Sequence, residues 1–261
     1  MSVIKNLYTG ADPWEPRLFI LNRVKTATVT ASTADTGHAA TAVVGPQTYS
    51  TWSPLSFPAW VRAQLAASYS INFVAAYIAD GGGCTFVAET WNGSAWVACG
   101  TSVLVTTRTA VVWYFDARTT NDVRLYVTDV TGATQPYIAN LKCGTASVCP
   151  VGIPSGFVPG SISPDNEYTN TMTNGGQILA AERIRSEMMQ AVTLEKVEPA
   201  WVRSDFAVIA ETMRTEGVYF AWNADDYPDE LVYGMVDGKP QASYSSPTFM
   251  QASFSLRGPS P

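Results

Sequence analysis

A single histidine, His38, stands in 261 residues. One imidazole leaves no room for a histidine-built metal centre. Its setting, TGHAATAV, reads as a loop with no nucleophile or orienting carboxylate to make it a general base. Charge is also scarce: 15% of residues are Asp, Glu, Lys or Arg, against roughly a quarter in ordinary globular proteins. A surface short of charge is commonly covered by a subunit interface. The 16 basic residues form no run and are outnumbered by 22 acidic ones, giving a net charge of -6. Such a balance excludes a phosphate-binding nucleic-acid surface. The four cysteines, Cys84, Cys99, Cys143 and Cys149, form no CxxC pair, so no zinc site is expected and they read as free thiols in or near a β-core. No apolar run approaches the roughly 18 residues of a membrane span. No apolar leader opens the chain, so folding in a cytoplasm is the default expectation. No cofactor is expected.

What the chain does have is short β-runs. Residues 1–17 carry Pro13 and Pro16 without periodicity and read as an extended arm. Residues 18–144 follow as a series of strands with turn signals between them: LFILNRV, TATVTAS, the alternating WVRAQL, INFVAAYIA ended by three glycines, VLVTT, AVVWYFDA, VRLYVTDV and YIANLKCG. TFVAET and AWVAC flank Asn92-Gly93, a strong hairpin signal. Regular short strands without helices predict a two-sheet jelly roll. Residues 145–176 are rich in proline and glycine and read as a linker, or as an arm lying along a neighbour with Phe157, Val158, Ile162 and Tyr168 as apolar anchors.

Residues 177–261 predict an α+β unit. Two strands lead to Pro199, suited to a first helical turn. Val202, Phe206, Ile209 and Met213 then make one helical stripe, with Gly217 in the place of a C-terminal cap. Three strands follow. In the last, Met250, Phe254 and Leu256 share one face. An apolar face on so small a unit predicts a surface closed by a second copy.

Few residues carry chemistry. Asp225, Asp226, Asp229 and Glu230 cluster in NADDYPDE, but Pro228 interrupts any calcium-loop spacing and a solvated turn is the simpler reading. GGGC at residues 81–84 lacks the lysine and helix of a phosphate loop. Trp60 and Trp113 sit inside strands and read as core. Trp91 flanks the hairpin turn and is the candidate ligand or interface aromatic.

Four segments resemble the galactose-binding-like (discoidin-like) jelly roll: YSTWSP with WVRAQL, FVAETWNGSAWVAC, VVWYFDARTTNDVRLYVTD, and the closing YIANLKCG. Gln64 stands where that family has an acidic residue, and no glycine follows Leu65. RTEGVYFAW and SPTFMQASFSLRG are similar to the C-termini of bacteriophage distal-tail and minor tail proteins. The resemblances imply a mainly β, non-enzymatic virion protein: a jelly roll followed by a ring-forming domain in a phage tail tip or baseplate, assembled in a bacterial cytoplasm. Implied partners are further copies in a ring, sixfold in the family with a trimer as the alternative, and the tail tube, tape-measure and hub proteins. The alternative is a carbohydrate-binding module contributing to receptor recognition.

Overall fold

The computed structural model describes residues 2–6, 15–128, 134–162, 165–172 and 177–260. Most of the expected N-terminal arm, Pro164, and the glycines at 175 and 176 lie outside them. In chain order the strands are β1 (Val3–Asn6), β2 (Arg17–Phe19), β3 (Thr28–Ala31), β4 (Ala59–Asp80), β5 (Cys84–Trp91), β6 (Trp96–Ala98), β7 (Val103–Val105) and β8 (Thr109–Thr128). They continue with β9 (Tyr137–Gly144), β10 (Ser147–Val148), β11 (Asp165–Met172), β12 (Ile178–Val197), β13 (Val218–Ala221), β14 (Val232–Val236), β15 (Gln241–Tyr244) and β16 (Met250–Pro259). Among the described residues one α-helical run interrupts them, α1 (Pro199–Trp201), a wider turn at Val202–Phe206 and α2 (Ala207–Met213), besides two short 3-10 turns at Val24–Thr26 and Ala40–Val44. The protein is mainly β, as the strand pattern predicts.

β4 and β8 are each twice as long as the separate runs read from the sequence, and they hold the sandwich together. They pair with one another along their length, with a register break between Gln64 and Tyr69. On one side of the break β4 pairs with β3, and the facing part of β8 pairs with β5. On the other side β4 pairs with β9 and β8 with β1, the last in parallel. The two halves thus form two layers. Their inner faces (Val61, Ala63 and Leu65; Val74, Ala76 and Ile78; Val111, Trp113 and Phe115; Val123, Leu125 and Val127) make one apolar core. Trp52 and Trp113 are fully buried there, their indole N–H groups donating to the Thr33 and Thr101 carbonyls at 2.9 and 3.1 Å. Trp60 differs from expectation: it lies inside β4, but on the face away from this core.

A second sheet runs β10-β2-β13-β14-β16-β12-β11. The sequence reading starts the jelly roll at Leu18, yet β2 pairs with β13 and β10 in this second sheet. Phe19, Tyr219, Ala221 and Tyr233 from it pack on Phe73, Ala75, Tyr77, Val112 and Tyr114, the outer face of the layer holding β9. Ring centroids of Phe19 and Phe73 lie 5.2 Å apart, and those of Tyr77 and Tyr233 4.9 Å. The chain therefore stacks three β-layers. INFVAAYIA and AVVWYF read as unbroken apolar runs because both of their faces are covered.

The opposite part of the second unit has its own core. Val202, Phe206, Ile209 and Met213, the predicted helical stripe, are all buried in one cluster with Val192, Leu194, Phe220, Met250, Phe254 and Leu256. Gly217 is not a left-handed cap. A Cβ there would lie 2.5 Å from the Tyr233 hydroxyl oxygen, so glycine is needed for close packing.

Candidate functional site

The outer face of the layer formed by β3, β4, β8, β5 and β6 is the face that period-2 alternation leaves uncovered. Ala59, Val61 and Ala63 point inward, so Trp60, Arg62 and Gln64 point outward. The same parity turns Asp122, Arg124 and Tyr126 of β8, and Glu89 and Trp91 of β5, to that surface. Register then assembles a site. Arg62 sits opposite Arg124, and Glu89 opposite Arg124. The repulsion of two facing guanidiniums is offset by carboxylates. Arg62 Nε and Nη2 donate to Asp122 Oδ1 and Oδ2 at 2.7 and 2.9 Å, a bidentate pair, and Arg124 Nε donates to Glu89 Oε2 at 2.5 Å. The hydrogen bond to Asp122 raises the Arg62 pKa above its ordinary value.

The β5–β6 hairpin adds the aromatic part. Trp91 and Trp96 are cross-strand partners, with ring centroids 5.5 Å apart in an edge-to-face arrangement. The turn between them is fixed by Asn92, whose Oδ1 accepts from the Ser94 and Ala95 N–H groups, and by Gly93 at φ 99°. Thr120 Oγ1 donates to the Trp91 carbonyl at 2.9 Å, tying the hairpin to β8. The Arg124 guanidinium lies 4.4 Å and that of Arg62 5.8 Å from the Trp96 ring centre. Trp91 was legible from its place beside the turn. Its companions Trp96, Arg62, Arg124, Glu89 and Asp122 were missed, because only strand register brings them to one face.

The arm and ring-interface residues fare differently. Phe157 packs on the ring of Trp222 within its own chain, at 5.7 Å between centroids, whereas Val158, Ile162 and Tyr168 are 61%, 65% and 56% exposed. The supposed patternless arm is partly ordered on its own chain. Ser147–Val148 pair with β2, Cys149 is buried, Gly160 N–H donates to Gln190 Oε1, and residues 165–172 form β11. Met250, Phe254 and Leu256, read as the open face of a ring-closing strand, are buried at 9%, 3% and 0% exposure. The helix of the same chain covers them, so that face is not free for a neighbour.

What is open in the second unit is a ribbon. β12 pairs with β16 only from Glu187 onward, and its earlier part has β11 alongside and, among the described residues, nothing on its other edge. β11 is likewise an edge strand. At about 3.4 Å per residue, the part of the ribbon beyond β16 reaches about 30 Å.

His38 is half-buried, its Nδ1 2.9 Å from Thr51 Oγ1. The acidic stretch is an Asn223-centred turn: Asn223 Oδ1 accepts from the Asp225 and Asp226 N–H groups, while Glu230 takes the Trp222 indole N–H. Among the described residues no three His, Cys, Asp or Glu side chains gather as a metal site. No helix there is long and apolar enough to cross a membrane.

No family model and no curated protein matches the chain. Among solved structures, it is similar to chitosan-binding module 2 of a chitosanase/glucanase from Paenibacillus sp. IK-5, in complex with chitotriose. That match has 17% identity and a TM-score of 0.40, covering 47% of this chain and 99% of the module. It is also similar to CpGH89CBM32-5 from Clostridium perfringens, in complex with GalNAc-beta-1,3-galactose: 15% identity, TM-score 0.39, 47% of this chain and 97% of the other. A GH29 fucosidase of Ruminococcus gnavus in complex with fucose matches at 13% identity and TM-score 0.40, over 49% of this chain and 27% of the enzyme.

Proposed function

We propose that this chain is a non-catalytic structural subunit that associates with copies of itself. The setting is the one its sequence resemblance implies: the tail tip or baseplate of a bacteriophage, between tail tube and tip proteins. The observation that carries the reading is the β11–β12 ribbon. A lone two-stranded ribbon is marginal in water, and two open edges are templates for further strands. The two edges differ, so pairing one with the other on the next copy is head-to-tail, the kind of contact that closes rings. Light scattering on the full chain and on a variant with residues 165–186 replaced by a tight turn tests this. The full chain should be an oligomer, ring-shaped in negative stain. The shortened variant should be a monomer with its melting unchanged. A full chain that stays monomeric at high concentration would overturn the proposal.

A second reading, carbohydrate binding by the sandwich, is favoured by the Trp91–Trp96–arginine face. The two readings are compatible in one particle, since the ribbon and this face belong to different sheets.

A further inference from the structure

Resting on the carbohydrate reading of the sandwich, we infer that the outer face of β4, β8 and β5 is a binding site for an uncharged pyranoside. Trp91 is its stacking platform, and Arg62 and Gln64 are its polar contacts. The class of ligand follows from the charges. Arg62 and Arg124 are both ion-paired, with Asp122 and Glu89, so the two positive and two negative groups cancel. A site for sialic acid, a uronic acid or phosphate needs a cation left to pair with it, and this face spends both of its own internally. What remains outward is neutral recognition chemistry. Arg62 Nε and Nη2 face Asp122, which leaves Nη1 as a donor on a side chain that is 36% exposed. Gln64, exposed beside Asp122 in the register, offers both a donor and an acceptor. A sugar hydroxyl needs such paired donors and acceptors, and the C–H face of a pyranose needs a flat apolar partner.

The site is also held in place. The ion pairs fix both guanidiniums, Asn92 and Thr120 fix the hairpin, and Trp96 is set between Arg124 and Trp91. Such preorganisation lowers the entropy lost on binding. The face is shallow, so a dissociation constant on the order of 0.1–1 mM is expected for a short oligosaccharide.

The test titrates the full chain with triacetylchitotriose, lactose and 3′-sialyllactose, read by tryptophan fluorescence and by amide chemical shifts. At least one neutral sugar should saturate, with shifts centred on residues 60–64, 89–96 and 120–126, and the sialylated sugar should bind no better than lactose. Trp91→Ala should weaken binding at least tenfold. Because that change also touches the hairpin, Gln64→Ala is the companion variant: it should weaken binding about threefold with melting unchanged. Saturable binding that neither variant alters would reject this face while sparing the carbohydrate reading. No binding of any probe up to about 10 mM would end both. Tenfold preference for the sialylated sugar would overturn the ligand class.

Discussion

Lys142 Nζ lies 3.8 Å from Glu216 Oε2, with the two side chains 1% and 7% exposed. The ammonium also donates to the Ile20 carbonyl at 3.3 Å and to the Gly217 carbonyl. β9 of the sandwich is thereby tied to the turn that leads into β13 of the second sheet. Glu216 in turn pairs with Lys25 at 2.7 Å and accepts from Asn22. Burial pushes the Lys142 pKa down to about 8, outweighing the attraction of Glu216. A lysine held below its usual 10.5 is charged in both states below about pH 8 and sheds its proton first in the folded state above it. Stability from this group therefore rises with pH between about 8 and 10.5. Relative to Lys142→Met, the wild-type chain should gain on the order of 1–2 kcal/mol between pH 7.5 and pH 9.5. Urea titrations across that range measure it, and parallel curves for the two proteins would contradict it. Tyr77 and Tyr233, whose ionisation burial also raises, are common to both proteins and drop out of the difference.

Phe254→Ala separates core from interface. The ring is buried and meets Phe220 edge-on, with centroids 5.9 Å apart. Truncation should cost about 3–5 kcal/mol. The oligomeric state by light scattering should stay that of the wild type. A change of assembly at unchanged stability would return this face to the role first read from the sequence.

All four cysteines are buried and outside any disulfide, and burial raises the thiols of Cys99, Cys143 and Cys149 to about 12. A thiol held protonated in an apolar core is a poor nucleophile. An aromatic disulfide reagent should label none of the four in native protein at pH 8, and all four in denaturant. Rapid native labelling of Cys99 would mean that the sandwich opens readily.

The layer shared by the two units predicts common melting. Phe19 sits in the second sheet yet meets Phe73 and Tyr114 of the sandwich at 5.2 and 5.5 Å. Phe19→Ala should lower the melting of the whole chain, by about 3–5 kcal/mol, as one calorimetric transition. Two transitions, only one of them shifted, would show that the units melt apart.

The strand content was legible because alternation and turn residues speak for themselves: WVRAQL, the Asn92-Gly93 turn and the Val202–Met213 stripe all lie as their periodicity says. Three features were not. β11, DNEYTNTM, carries no apolar alternation, so a strand there looked like linker. β2 is three residues long and shows nothing of which sheet it joins, since pairing partners are a non-local property. Trp60 was placed in the core for being in a strand, although the parity of Ala59 and Val61 already sends it outward. The candidate site was half legible. One tryptophan showed beside its turn, while the charged residues around it depend on registers that no single segment encodes.

β4 and β8 belong to both layers of the sandwich, and this has a mechanical meaning. In a sandwich made of separate sheets, a pull on one layer is resisted only by side chains sliding past side chains. Here the load passes along two unbroken backbones, and the layers part only if the β4–β8 ladder unzips through the break between Gln64 and Tyr69. Tension along these strands would load many backbone hydrogen bonds in shear at once, so the sandwich should stretch little before it fails and then fail abruptly.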